Sequence, residues 1–175
     1  MPSTLHGPTA ESASRPLGLY LNNHLGGATA GVELAQRLSE SPTHRARADE
    51  LTALAQEFTE DRVTLLRIMR EMEIQVSRSR LAGGWLTAKL AQVARGRLLG
   101  RRDDSRPVLE IEALRMGVLG KESLWRTLEA VAPEHTTLDA HRLRELAARA
   151  AQQERLLDEL RDRTVRETFP PPSNP

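Results

Sequence analysis

Four long segments of the sequence repeat apolar residues at helical spacing, and the connections between them are short, long and short in turn. The segments run from about Leu17 to Ser39, from Pro42 to about Val76, from just after "DDSRP", and from just after "APEHTTLD". No stretch shows a convincing strand pattern. Short connections predict antiparallel hairpins, whereas about thirty residues between the second and third segments suit a crossover along a bundle. The pattern predicts an all-α, up-down four-helix bundle with one long crossover.

The two ends of the chain differ in composition from these segments. Residues 1–16 and the final "FPPPSNP" are rich in Pro, Ser, Thr and Gly, which is typical of chain that does not fold. We therefore predict a disordered arm at 1–16, the bundle at 17–165 and a Pro-rich tail at 166–175. Within the crossover, residues 85–99 carry an apolar stripe through Leu86, Leu90 and Val93, which predicts a short helix there.

Composition limits the classes of function. Aromatic residues make up only 3% of the chain, so the core should be aliphatic, and the absence of cysteine excludes disulfides and thiolate metal sites. A net charge of +1 gives no reason to expect a nucleic-acid partner. No apolar run approaches the roughly 20 residues that a membrane span needs, and the N-terminus lacks the features of a secretory signal. We expect a soluble cytoplasmic protein.

The first segment, "YLNNHLGGATAGVELAQRL", contains Gly26, Gly27 and Gly31, although each glycine inside a helix costs about 0.5–1 kcal/mol relative to alanine. Gly27 and Gly31 fall on or beside the stripe that should be buried. Small residues there would let a neighbouring helix approach closely or leave room for bulk from across the core. We interpret the glycines as packing residues.

Polar residues interrupt each apolar stripe near the middle of its helix. They are His24, Asp61, Lys121 and Gln153. In an antiparallel bundle these residues can share one buried polar layer, and a buried carboxylate needs a partner. We expect a structural salt bridge between Asp61 and Lys121, with an acid/base couple or an anion site as the functional alternative. A metal role for His24 is not favoured, because a stable site needs three or four ligands.

With these residues in view, the chain from about Leu17 to Thr164 resembles the ferritin-like superfamily, most closely the bacterioferritin type. "LNNHLGGATA" resembles the first-helix motif around a metal-ligand glutamate, with Ala28 at that position. "GVLGKESL" is similar to the third-helix segment, with Gly117 in the place of a glutamate. "ARAAQQERLLDEL" is similar to the fourth-helix Glu-x-x-His segment, with Ala150 and Gln153 as the counterparts. For the second helix the register gives either Glu57-x-x-Glu60 or Phe58-x-x-Asp61.

The resemblance implies a dimetal site that oxidises iron, held by carboxylates from four helices and two imidazoles. Alanine and glycine have no ligand atom, so the resemblance also implies that the site is degenerate, and we expect no cofactor or resident metal. The predicted function is a binding or scaffold protein without enzymatic activity. It would form a homodimer and bind a partner protein or a small ligand.

Two alternatives stay open. The first is a metal-binding oxidoreductase or iron-storage protein with a rearranged carboxylate site, for which the weak candidates are Glu57, Glu60, Asp61 and Glu110. The second is a binder of nucleic acid or membrane through the basic crossover, which carries a series of Arg and Lys residues between Arg78 and Arg106.

Overall fold

The computed structural model describes residues 10–77 and 104–171, and within these stretches it is helical throughout and contains no strand. The long helices are α1 (Ala10–Ser39), α2 (Ala48–Glu71), α3 (Arg106–Val131) and α4 (Ala140–Thr168). Short 3-10 helices, Pro42–Arg47 and Ala132–Glu134, lie in the two short connections. Over the described residues, the prediction of an all-α fold with four long helices is confirmed. The predicted crossover and its short helix at 85–99 lie outside the described residues.

Both predicted hairpins are antiparallel. In the first, the Asn22 side chain in the first half of α1 donates to the carbonyl of Gln75 beyond the end of α2, at 3.0 Å. In the second, hydrogen bonds from α4 to α3 join Arg144 to Glu129 and Arg161 to Glu112. Since residue numbers rise on one helix as they fall on the other, the two helices of each pair run in opposite directions.

Contacts between the hairpins fix their relative direction. Tyr20 Oη on α1 lies 3.0 Å from Thr127 Oγ1 on α3, so the first half of α1 faces the end of α3. His44, just before α2, lies beside Glu110 near the start of α3. Because both helices continue from this end of the bundle, α2 and α3 run in the same direction.

The core is aliphatic, as the composition predicts. Fully buried leucines come from all four helices, and Trp125 is the largest buried side chain in the described part of the chain. The closely packed face of α1 consists of Leu21, Leu25, Leu34, Ala35 and Leu38. Neither described stretch contains a helix with the length and apolar character that a membrane crossing requires.

Helix α1 begins seven residues before the predicted Leu17, at Ala10, and Pro16 lies inside it. The predicted boundary rested on the Pro, Ser, Thr and Gly content of residues 1–16, which does not prevent the last seven of them from continuing the helix. Helix α2 ends at Glu71, short of the predicted Val76. There the amide of Ile74 donates to Met69 and that of Glu73 to Arg70, with Glu73 in the left-handed region at φ 56°. This is a Schellman motif with glutamate where glycine is usual, so the sequence carried no signal for it.

Helix α4 also differs at its boundaries. Its N-cap is Asp139, whose side chain accepts hydrogen bonds from the backbone amides of His141 and Arg142. Thr136 and Asp139 have the spacing of a capping box, but Thr136 is not the N-cap, because the helix begins only at Ala140. At the other end, α4 continues to Thr168, three residues into the predicted tail.

Candidate functional site: a cavity between α1 and α3

A cavity of about 340 Å³ lies between α1 and α3, and α2 closes one side of it. Small residues from both helices form much of its wall: Gly27, Ala28, Gly31, Ala113, Gly117 and Gly120. Larger apolar side chains complete it, among them Leu34, Phe58, Leu65, Leu114, Val118, Leu124 and Trp125. The polar residues of the wall are Asn23, His24, Asp61 and Lys121. The site is therefore a mainly apolar space with a few polar groups.

Two of the glycines that border this space, Gly31 and Gly120, have room for a side chain. A Cβ atom added at Gly31 would have Phe58 as its nearest neighbour, at 4.0 Å, and one added at Gly120 would meet nothing within 4 Å. Close approach of a neighbouring helix, one of the two reasons that the sequence offered, therefore does not explain Gly31 or Gly120. At these two positions the glycine leaves room that the described side chains do not fill.

Asp61 is the centre of the polar group in the middle of the bundle, and it is only 3% exposed. Lys121 Nζ lies 2.6 Å from Asp61 Oδ2, the pairing that helical phase predicts. The guanidinium of Arg149, on α4, donates to the other oxygen, Oδ1. The Lys121 ammonium also lies 4.0 Å from the centre of the Phe58 ring, within the range of a cation–π contact. Two cations thus share one buried carboxylate.

Burial lowers the pKa of Lys121 below its ordinary value, and Asp61 opposes part of this shift by favouring the ammonium form. Arg149 is less buried, and Asp61 together with Glu60 outweighs its burial and raises the pKa of the guanidinium. Lys121 therefore depends on Asp61 for its charge balance, whereas Arg149 also has Glu60 as a counter-charge. Sequence reasoning missed Arg149, since a long side chain that starts beside the apolar stripe gives no periodic signal.

The other two members of the predicted polar layer lie apart from this pair. Gln153 is buried on α4 and donates to Glu57 Oε2 at 2.6 Å, so it joins neither Asp61 nor Lys121. His24 packs its ring 4.4 Å from that of Tyr20 and has no hydrogen-bond partner among the described residues. Burial lowers the pKa of His24, so its imidazole is neutral at pH 7. Only His24 of these two lines the cavity.

The candidate metal-binding carboxylates do not converge. Glu57 and Asp61 have the partners given above, and Glu60 accepts from Arg149 at 2.9 Å. Glu110 lies near the end of the bundle, where it contacts His44 at 3.1 Å and Arg106 at 2.9 Å. In the described ranges no three His, Cys, Asp or Glu side chains are grouped so that they could hold a metal ion.

A second buried polar cluster was missed by the sequence analysis. His44 is 0% exposed, and Arg47 is buried beside it and contacts Glu167 at 2.5 Å. Burial opposes ionisation of Glu110, but its hydrogen bonds with His44 and Arg106 hold the pKa of this carboxyl below its ordinary value. The available signal was the spacing of His44 and Arg47, which puts them on one face of a short helix. The cluster anchors the connection between α1 and α2 to the start of α3.

Comparison with protein-family models, with curated proteins and with solved structures found no match for this chain.

Proposed function

We propose that the protein is a non-enzymatic helical bundle that binds a small apolar molecule in the cavity between α1 and α3. The cavity carries the proposal. Its volume of about 340 Å³ falls in the range of small-molecule sites, roughly 300–1,000 Å³. An apolar cavity of about 150 Å³ already suffices to bind benzene. The apolar wall supplies affinity, and its few polar groups supply orientation.

The proposal includes a ferritin-like origin. Two antiparallel hairpins with α2 parallel to α3 are what a ferritin-type connection between 77 and 106 requires. Ala28 and Gly117, at positions where the resemblance implies metal ligands, line the cavity, and Ala150 is buried in the core. In this proposal the space once used for two metal ions holds an organic ligand.

The hydrogen-bond partners of the four candidate carboxylates favour binding of an apolar molecule over a rearranged metal site. Glu57, Glu60, Asp61 and Glu110 each accept a hydrogen bond from an amide or a cationic side chain. A metal ion would have to displace these donors. The homodimer stays a prediction, which native mass spectrometry of the purified chain will test.

Calorimetric titration with two neutral probes, decanol and naphthalene, tests the proposal. We expect saturable binding of at least one probe by the wild-type chain. Gly31→Leu should abolish it, because the new side chain enters the cavity. Ala53→Leu is the matched control, since it introduces the same side chain at an exposed position of α2. Failure of the wild type to bind either probe, or equal binding by Gly31→Leu, would refute the proposal.

A further inference from the structure

We propose that the ligand of this cavity is an apolar aldehyde, which Lys121 binds covalently as a protonated imine. The inference rests on the function proposed above and specifies the chemical class of the ligand. It depends on three observations: the rare use of lysine in this chain, the position of the Lys121 amine at an apolar wall, and the carboxylate of Asp61 beside that amine.

Lysine is rare in this chain. Among the 25 lysine and arginine residues, only Lys89 and Lys121 are lysines. Within the described ranges, every ion pair other than that of Lys121 has arginine or histidine as its cation. An arginine side chain stays protonated in proteins, whereas a lysine amine can lose its proton and attack a carbonyl carbon. Among the described residues of the cavity wall, Lys121 is the one that carries such an amine.

The Lys121 amine lies at an apolar part of the wall. Its side chain is 13% exposed, and Nζ lies 4.0 Å from the centre of the Phe58 ring. Phe58 is also the nearest neighbour of a Cβ atom added at Gly31, which places the amine near the level of Gly31. From this level the α1 wall extends about 12 Å to Asn23 and about 4.5 Å to Leu34, at about 1.5 Å per residue. The longer part gives space for a hydrocarbon chain that is attached at Lys121.

Asp61 is placed to carry out the proton transfers that an imine requires. Its Oδ2 lies 2.6 Å from Nζ of Lys121, while Arg149 holds the other oxygen, Oδ1. Transfer of one ammonium proton to Oδ2 frees the nitrogen lone pair for attack. Burial lowers the pKa of Lys121, which favours this transfer. The proton acceptor is therefore already within hydrogen-bond distance of the nucleophile.

The reaction conserves atoms and charge. The lone pair of Lys121 Nζ forms a bond to the aldehyde carbon, and a second proton passes from this nitrogen to the former carbonyl oxygen. The hydroxyl group then takes the proton held by Asp61 and leaves as water, while the nitrogen lone pair closes the C=N bond. Two of the three ammonium protons leave in the water and one stays on the iminium nitrogen. The iminium keeps the positive charge of Lys121, and Asp61 is again its negative counter-charge.

The charge balance of the wall suits a neutral ligand. Lys121 and Arg149 both pair with Asp61. Arg149 also pairs with Glu60, and Glu57 favours the ammonium form of Lys121, so the group carries no excess charge. A charged ligand would bring an uncompensated charge into a mainly apolar space. An aldehyde adds no charge before or after the reaction. An alcohol is equally neutral but cannot form the covalent bond, and this difference is what the experiment measures.

The experiment is reductive labelling of the full chain with decanal and sodium cyanoborohydride at pH 7.5, followed by peptide mass spectrometry. Cyanoborohydride delivers a hydride to the imine carbon and converts the adduct into a stable decylamine. The chain offers three amines, those of Lys89, Lys121 and the N-terminus. Lys121 should be labelled at least about tenfold faster than the other two, because the cavity holds the aldehyde beside it. In urea this preference should disappear, because it depends on the folded cavity.

Variants and a competitor connect the label to the cavity. Lys121→Arg keeps a cation beside Asp61 but cannot form an imine, so labelling at this position should be lost. Lys89→Arg is the matched control and should leave the labelling of Lys121 unchanged. Gly31→Leu should slow the labelling of Lys121 at least about tenfold, since the new side chain enters the cavity near the amine. Excess decanol should also slow it, because decanol competes for the same space.

The outcomes separate the two proposals. If Lys121→Arg does not fold, the comparison of the two lysines in the wild type decides alone. Equal labelling of Lys121 and Lys89 in the folded chain would overturn the aldehyde inference, as would labelling of Lys121 that Gly31→Leu does not slow. Saturable binding of decanol without preferred labelling would overturn this inference and leave the apolar site intact. No binding of decanol or naphthalene and no preferred labelling would overturn both proposals.

Discussion

Replacement of Asp61 tests how the charges in the middle of the bundle are balanced. Asp61→Ala removes the one carboxylate that both Lys121 and Arg149 contact. The Lys121 side chain, only 13% exposed, would be left without its counter-charge, whereas Arg149 keeps Glu60 as a partner. Loss of one member of a buried ion pair typically costs about 3–5 kcal/mol. We expect Asp61→Ala to lower the free energy of unfolding by an amount in this range.

Replacement of Lys121 should cost less. In Lys121→Met the carboxylate of Asp61 keeps its hydrogen bond from Arg149, and the methionine side chain can still pack on Phe58. The loss is then one hydrogen bond to a charged group, about 1.5–3 kcal/mol. The double variant Asp61→Leu with Lys121→Met buries no lone charge and should unfold at a higher denaturant concentration than Asp61→Leu alone. The asymmetry between the single variants is the specific consequence of Arg149.

Urea unfolding followed by circular dichroism measures these differences, provided that the m-value does not change. The control pair is Glu122 and Arg126, an exposed salt bridge on the same helix, whose loss in Arg126→Met should cost at most about 1 kcal/mol. Strictly additive effects of Asp61→Leu and Lys121→Met would refute the coupling of the two residues. Equal costs for Asp61→Ala and Lys121→Met would show that Arg149 does not neutralise Asp61.

Three further predictions concern the glycines, the second polar cluster and metal content. Gly31→Ala and Gly120→Ala should each raise the free energy of unfolding by about 0.5–1 kcal/mol, since both positions have room for a Cβ; a loss in urea unfolding would contradict this. Glu110 has a lowered pKa in the folded state, so its stabilisation is complete above its ordinary value of 4.5 and is lost as pH falls through the folded value. The difference in unfolding free energy between wild type and Glu110→Gln should therefore be largest near pH 7 and shrink below pH 4.5. Protein expressed with added iron, manganese and zinc should contain substoichiometric metal by elemental analysis and show no ferroxidase activity; two ions per chain would favour the carboxylate-site alternative.

The sequence predicted those parts of the fold that periodicity and connection length determine. Four amphipathic segments and two short turns sufficed for the helices and the hairpins, and phase alone paired Asp61 with Lys121. Helix ends were less predictable, because they depend on a few backbone hydrogen bonds. The turn that follows α2 shows this. Glu73 adopts the left-handed backbone conformation there, and a glycine at that position would have indicated the helix end in the sequence.

The site was only partly predictable for a different reason. The small residues of α1 were recognisable as unusual, but an unfilled space is a property of three helices together and cannot be assigned to one of them. Gln153 lies on the expected face of its helix and still contacts Glu57 instead of the Asp61 pair. Arg149 reaches Asp61 from the edge of α4. Phase gives the direction in which a side chain points, while its partner depends on side-chain length and helix separation.

The cavity and the buried ion pair occupy the same wall, and this coincidence is informative about function. Each feature alone works against stability: the glycines of α1 and α3 destabilise their helices, and a buried salt bridge often contributes less than apolar residues of similar size. Leucine at Gly31 and methionine at Lys121 would be ordinary solutions for a bundle selected for packing. Small residues and a buried carboxylate that two cations share, placed around one space, are what the proposed binding site requires, because a binding site exchanges stability for ligand contacts. Gly31→Leu distinguishes selection for stability from selection for ligand binding. This variant should stabilise the bundle in urea while it abolishes ligand binding.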